Sequence, residues 1–326
     1  MLTVLCLNAG IDRTYEVDEF GVGGYYRPAR MRIQAGGKGI NVARIAHRLG
    51  VETVVSGFAG GSGGAFVVRQ LQTEGVLEDF VAIDEEPRVC INVVSRQPRG
   101  QTRVDETGPL VTPAELVLMR RKWEELLAKS TVAVVSGSAP RGVPFSYYGE
   151  LIVLARKTKT PVILDAREEL LAEGVKARPL MVKPNLEELS FLKGRAIRNA
   201  SQALAVGQEL ADNGINIVLA SIGSMGAVAV TRKQGTWMAR PPRVETVSAV
   251  GSGDAMVAGF VAASMAGNPF DECLRWATAA GAANATRFDN APCTRDEILK
   301  LIPEVQVSRV DELTPAALAG EPEPTA

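Results

Sequence analysis

Along the chain, short runs of apolar residues alternate with longer stretches in which apolar positions recur every three or four residues. The short runs are Thr3–Leu7, Thr53–Ser56, Thr131–Ser136, Pro161–Leu164, Leu180–Val182, Ile217–Ser221 and Ala227–Val230. Several are apolar throughout, the pattern of strands covered on both faces. The longer stretches have legible helix ends. Between Gly39 and Leu49, the residues Val42, Ile45, Ala46 and Leu49 share one face, Arg44, His47 and Arg48 fall on a polar one, and Gly50 stops the helix. Thr112-Pro113-Ala114-Glu115 is a capping box with proline at the first helical position, opening a helix to about Lys129. Ser201 to Asn213 closes at Gly214, and Asp254–Ala266, apolar nearly all round, predicts a core helix. The alternation from about residue 110 to 300 predicts a mostly parallel sheet with helices on both faces. Residues 13–34 and 88–106 break it, being more charged and extended, and predict strands of a small separate sheet. The last residues, 307–326, end in TPAALAGEPEPTA and predict a disordered tail behind a single domain, 1–306.

Composition narrows the function classes. Lys and Arg number 36 against 37 Asp and Glu, with no basic block, which argues against a nucleic-acid binder that works by neutralising phosphates. No run approaches the ~18–20 apolar residues of a membrane span. Cys6, Cys90, Cys273 and Cys293 are far apart with no CxxC, as reduced thiols of a cytoplasmic protein would be. A single histidine, His47, on a solvated helix face removes most His-ligated zinc sites and His-based triads. Glycine, at 32 residues, is enriched and clustered, and the clusters carry the chemistry.

Thr246–Asp254 reads TVSAVGSGD and leads straight into the predicted core helix. A glycine turn at a helix N-terminus aims free N–H groups at one point and suits a phosphate. Asp254 in that turn reads either as a plain N-cap or as a general base beside an anion hole. A second cluster, Gln34-Ala35-Gly36-Gly37-Lys38-Gly39-Ile40-Asn41, also opens a helix, and offers exposed backbone, one cation and one amide. Neither is a standard nucleotide motif. Met256 stands where a dinucleotide fingerprint needs its last glycine, and Gly39 where a P-loop needs Ser or Thr.

GGKGINVAR (36–44), SGSAPRG (136–142), KPNLEEL (183–189), SIGSMGA (221–227) and VGSGDAMVAG (250–259) occur in an order and spacing similar to those of the ribokinase-like (PfkB) carbohydrate kinases. The resemblance is strongest to the branch of 1-phosphofructokinase and tagatose-6-phosphate kinase. It implies a three-layer α/β/α fold with a small β lid, and ATP with Mg²⁺. It makes Asp254 the base, and the amides of Gly251, Ser252 and Gly253 the anion hole. Asn185 and Glu188 match the family's NxxE, tied to Mg²⁺ and phosphate placement, although Asn-x-x-Glu is also a capping-box helix start. Lys183, Ser221, Gly223, Gly226 and Asn284 fall on the nucleotide side. Asp12, Gly37, Lys38 and Asn41 fall on the sugar side, while Arg27, Arg88, Arg103 and Ser138 match positions that hold a second phosphate. Tyr25 replaces a lid lysine, Gly10 follows Ala9 where Asn-Pro-Ala is usual, and Asp165-Ala166-Arg167-Glu168 replaces the usual Asp-x-Ser-Gly.

The expected reaction is ATP-dependent phosphorylation of a ketohexose phosphate: fructose 1-phosphate, fructose 6-phosphate or tagatose 6-phosphate. A kinase for a free sugar or nucleoside, and an inactive ligand-binding relative, are the alternatives. Open edges and apolar faces on the lid strands predict a homodimer.

Overall fold

The computed structural model describes residues 1–287 and 292–312. An eleven-stranded sheet forms its centre. From one edge its strands run Gln306–Arg309, Gly235–Arg240, Ala227–Thr231, Ile217–Ser221, Met181–Val182, Val162–Asp165, Val132–Ser136, Leu2–Cys6, Thr53–Gly60 and Leu77–Glu78, with Val81–Ile83 also paired to Thr53–Gly60. Pairing is parallel from Ile217–Ser221 onward, and antiparallel among the first four.

Strand periodicity sends successive side chains to opposite faces. Leu2, Val4 and Cys6 join a core under helices Lys38–Arg48, Gly61–Thr73, Ser252–Met265, Phe270–Ala285 and Arg295–Leu301. Leu5 and Leu7 join a second core under Pro113–Leu127, Tyr147–Lys157, Glu168–Lys176, Leu186–Lys193 and Ala200–Asp212. Both faces are therefore covered, which is why the central strands read as unbroken apolar runs. The capping box at Thr112 forms as its sequence predicts. No helix among the described residues is long and apolar enough to cross a membrane.

A separate four-stranded sheet, ordered Arg30–Gly36, Gly10–Glu19, Arg88–Gln97, Arg99–Asp105, forms the lid. It stands where 13–34 and 88–106 predict it, with one correction. The segment between Glu19 and Arg30 is not strand, and Arg27 lies there, exposed.

Two further expectations are corrected. The chain does not become irregular at 307: Gln306–Arg309 adds an edge strand antiparallel to Gly235–Arg240, and a short 3₁₀ turn follows at Val310–Glu312. Val305 is buried in the core, and the Arg309 guanidinium lies 4.7 Å from the Trp237 ring centroid. Local composition misses both contacts because their partners are remote in sequence. The expected disorder of 313–326 lies outside the described residues. Arg44, placed by periodicity on a solvated face, is only 1% exposed. It donates to the Glu74 carboxylate at 2.5 and 2.9 Å and to the Ala35 carbonyl at 2.5 Å, tying its helix to the strand end before the glycine turn.

Candidate active site

A cavity of about 1150 Å³ opens between the lid and the carboxyl ends of the central strands. This is where an open α/β sheet binds ligands. Its floor comes from two glycine turns, each leading into a helix. Gly37 has φ 117°, and a Cβ there would sit 2.9 Å from Cys6 Sγ, so the backbone lies directly on the first strand. Gly251 has φ 80°, a left-handed conformation that glycine adopts without steric cost. The Asn284 amide donates to the Val250 carbonyl at 2.9 Å and locks that turn from behind.

The turn at Gly251–Gly253 opens helix Ser252–Met265. The Ser252 amide is spent on the Ala249 carbonyl at 3.2 Å. Among the described residues the amides of Gly251, Gly253 and Asp254 donate to no such internal partner, so the open set differs from the expected Gly251, Ser252 and Gly253 by one residue. The Ser252 hydroxyl, in contrast, is buried without a hydrogen bond among the described residues, and Ser252 lines the cavity.

Asp254 is 4% exposed. Asn41, from the other glycine helix, donates to Asp254 Oδ2 at 2.9 Å. The second oxygen, Oδ1, accepts no hydrogen bond from the described residues. Burial raises the Asp254 carboxyl to about 6, with Lys38 opposing and Asp165 adding to the rise. A carboxylate with that value and one free oxygen is suited to take a proton near neutral pH.

Beside it lies a chain of charges. Lys38 Nζ and Lys183 Nζ stand 3.1 and 3.2 Å from Asp165 Oδ1. Lys38 also lies 3.9 Å from Glu188 Oε1, which Arg167 Nε approaches at 3.8 Å from the other side. Burial works to raise the Asp165 carboxyl, and Lys183 and Lys38 more than offset it, holding it below the usual range. Burial likewise works to lower Lys38, and Asp165, Asp254 and Glu188 hold it above its ordinary value. A Cβ on Gly253 would lie 3.0 Å from Lys183 Nζ, which places that ammonium against the amide turn.

Asn185 and Glu188 form a full capping box: Asn185 Oδ1 accepts from the Glu188 amide at 2.8 Å, and Glu188 Oε2 from the Asn185 amide at 2.9 Å. Among the described residues the cap leaves Glu188 Oε1 buried and without a hydrogen bond. Among the described residues no three His, Cys, Asp or Glu side chains stand together as a metal cage. Mg²⁺ keeps several waters and needs only one or two carboxylates when phosphates supply further oxygens, so Glu188 Oε1 fits a Mg²⁺ brought by a nucleotide. Asn185 Oδ1 is already committed to the cap.

The lid supplies the opposite wall. In register, Asp12, Cys90 and Asp105 form one cross-strand row, and Asn92 and Arg103 belong to the next on the same face. Arg88, Cys90, Gln101, Arg103 and Asp105 line the cavity with Asp12. Arg88 Nε donates to the Asn8 carbonyl at 3.1 Å, and Arg103 Nη2 to the Asp105 carboxylate at 2.9 Å. Burial pushes the Asp12 carboxyl up, with Arg88 and Arg103 opposing. Ser138 accepts from the Asn8 amide at 3.1 Å. Ser221, Gly223 and Gly226 line the far end, facing Pro241, Pro242 and Val244.

Most of the expected residues therefore meet in one cavity. Arg27 does not line it, and its guanidinium contacts Tyr25 instead. Asn284 braces the amide turn from behind, and its helix lines the cavity through Thr278, Gly281, Ala282 and Ala285. Asn8, Asp165 and Arg167 line or brace the site without having been assigned to it. Asn8 and Asp165 each sit at the carboxyl end of an apolar strand run, and that position is the signal that marks them.

The sequence matches the pfkB family carbohydrate kinases over residues 3–297. It is 32% identical over 316 residues to the tagatose-6-phosphate kinase of Staphylococcus epidermidis, covering 95% of this chain and all of that one. To the 1-phosphofructokinase of Bacillus subtilis it is 28% identical over 310 residues, covering 95% of this chain and 100% of the relative. Its fold superposes on the tetrameric inhibited form of phosphofructokinase-2 from Escherichia coli with a TM-score of 0.86 and 27% identity, covering 93% of this chain and 98% of that one. With the glycine turns, the buried aspartate and the β lid all inside the matched span, the chain belongs to the pfkB family of carbohydrate kinases.

Proposed function

We propose that this kinase transfers the γ-phosphoryl group of MgATP to a hydroxyl of a ketohexose phosphate, either fructose 1-phosphate or fructose 6-phosphate, giving fructose 1,6-bisphosphate, or tagatose 6-phosphate. The observation that carries the reading is Asp254: a buried carboxylate with one free oxygen, in a turn of open amides, between a lid bearing arginines and the nucleotide-side loop. Asp254 Oδ1 takes the proton of the acceptor hydroxyl as its oxygen bonds to phosphorus. The amides of Gly251, Gly253 and Asp254, with Lys183, stabilise the charge on the transferring group. Bound Mg²⁺ would neutralise phosphate charge beside Glu188. Asp12 orients the sugar, while Arg88, Arg103 and Ser138 take its existing phosphate, for which arginine's planar fork is well shaped. The lid excludes water that would otherwise accept the phosphoryl group.

ADP release measured across the three phosphosugars, fructose, ribose and adenosine tests this reading. Turnover is expected with at least one phosphosugar, and turnover confined to the unphosphorylated compounds overturns it. Arg88→Ala should raise the phosphosugar KM by ~10- to 100-fold, the worth of a charge-assisted hydrogen bond or two, while the ATP KM stays within about twofold.

The lid face turned away from the cavity supports a homodimer. Ile33, Arg13, Ile91 and Val104 form one row across it, and Met31, Tyr15, Val93 and Thr102 the next. Met31 is 56% and Val104 61% exposed. In sedimentation velocity the wild type should run as a dimer and a Met31→Glu, Val104→Glu variant as a monomer; a monomeric wild type defeats the pairing. Four free buried thiols favour a reducing cytoplasm.

A further inference from the structure

We infer that Arg167 is a catalytic residue of this chain, a third cation that grips the γ-phosphoryl group of the donor nucleotide. The inference rests on the reading above that the donor is ATP.

Arg167 follows strand Val162–Asp165 by two residues and forms the N-cap of helix Glu168–Lys176, so its backbone stands at the carboxyl rim of the sheet. Its side chain lines the cavity. Its side chain is 62% exposed, and among the described residues its one ion contact is the 3.8 Å approach of Nε to Glu188 Oε1. Among the described residues its guanidinium makes no hydrogen bond, so all five N–H donors remain for a ligand.

Two observations say what that ligand is. The first is charge. Lys38 and Lys183 alone face three carboxylates, Asp165, Glu188 and Asp254, and Arg167 brings cations level with anions. A polyphosphate then meets a charge cluster that is balanced rather than negative. The second is place. Glu188 Oε1 lies between Lys38 and Arg167, at the end of the charge chain that runs back through Asp165 and Lys183 to the open amides. The lid arginines are on the other wall, so Arg167 serves the nucleotide rather than the sugar phosphate.

The residue after Arg167 carries backbone strain, while Arg167 itself is extended. Glu168 has φ 51°, a left-handed conformation that disfavours any residue with a Cβ. The similar Asp-x-Ser-Gly segment places glycine there and serine at the position of Arg167. In the transfer, the bond between the γ-phosphorus and the β–γ bridging oxygen breaks, the bond to the acceptor oxygen forms, and the proton goes to Asp254. A bidentate guanidinium on the non-bridging γ-oxygens holds the group that moves.

Calorimetric titration of the wild type, Arg167→Ser and Arg167→Lys with ATP and with ADP, both in Mg²⁺, tests this. Arg167→Ser is expected to weaken ATP at least ~10-fold and leave ADP within about twofold, with Arg167→Lys in between. Its kcat should fall at least ~10-fold while the sugar KM stays put. The unchanged ADP affinity shows that the variant is folded. Equal losses for both nucleotides, no loss for either, or a loss confined to the phosphosugar would each overturn the inference. A wild type that binds neither nucleotide defeats the donor reading as well, whereas a wild type that turns over ATP beside an unaffected Arg167→Ser defeats the inference alone.

Discussion

Asp254→Asn is expected to lower kcat by at least ~10²-fold, the usual scale for a general base, and to make the protein more stable. The first effect follows from the loss of the proton acceptor at Oδ1, while the asparagine oxygen still accepts from Asn41. Nucleotide affinity should change little, because the open amides and Lys183 remain. In the wild type, kcat/KM should fall tenfold per pH unit below about 6 and level off above it, tracking the raised carboxyl. The second effect follows from the same shift. The folded-state value lies above the ordinary 3.8, so the folded protein binds more protons than the unfolded chain between about 4 and 6. Asp254 therefore makes stability fall as pH rises through that window, and its ionised form is a standing penalty at pH 7–8. About two units correspond to ~3 kcal/mol at most, and the Asn41 hydrogen bond is already part of that balance. Asparagine removes the penalty, and denaturation at pH 8 should show a gain on the order of 1–3 kcal/mol that shrinks towards pH 4. Near-wild-type turnover in the variant would remove Asp254 from the mechanism.

The largest stability loss is expected at Asp165. Its carboxylate is fully buried and holds both Lys38 and Lys183 through one oxygen. In Asp165→Asn the buried Lys183 ammonium loses this counter-charge, and Lys38 keeps only the weaker pull of Asp254 and Glu188. Breaking a buried pair from one side costs about 3–5 kcal/mol, in contrast to the small worth of exposed pairs. The sign with pH is opposite to that of Asp254. Asp165 is held below its ordinary value, so its contribution is present above about pH 4 and is lost as the pH falls through the folded-state value. Urea unfolding at pH 7 should show the loss, and combining Asp165→Asn with Lys38→Met should cost less than the two single changes added together. A loss below about 1 kcal/mol would mean that water already compensates the lysines. Turnover should fall too, since Lys38 loses the strongest of the three carboxylates that hold it charged, and the alkaline limb of the rate profile should move to lower pH.

The strands and helices that carry the site were legible because each is specified locally. Leu2–Cys6 and Val132–Ser136 read as buried strands from unbroken apolar runs, and Thr112 and Glu115 announce a helix start by themselves. The two glycine turns were legible for the same reason, since a turn that opens a helix is written in a few consecutive residues. What was misread depends on partners remote in sequence. Arg44 looks solvated until Glu74 and Ala35 close around it. Gln306–Arg309 looks like the start of a tail until Gly235–Arg240 offers an edge to pair with. Arg27 counts as a lid arginine by position in the chain, yet the lid strands end before it and resume after it. Ser252 is a local exception: its amide donates to Ala249, only three residues back, a detail of turn geometry that motif matching does not resolve.

By itself, then, the sequence determined the α/β layering, the lid, the two glycine turns and the identity of the buried aspartate, because periodicity, caps and glycine placement act within a few residues. Only the tertiary structure decided which of the charged residues face one another. Asp165 became the anchor of two lysines, Glu188 the meeting point of Lys38 and Arg167, and Asn41 the brace of Asp254, across separations of 127 and 18, 150 and 21, and 213 residues. Such pairs are set by where parallel strands end in space, and electrostatic energy depends on that distance rather than on position along the chain.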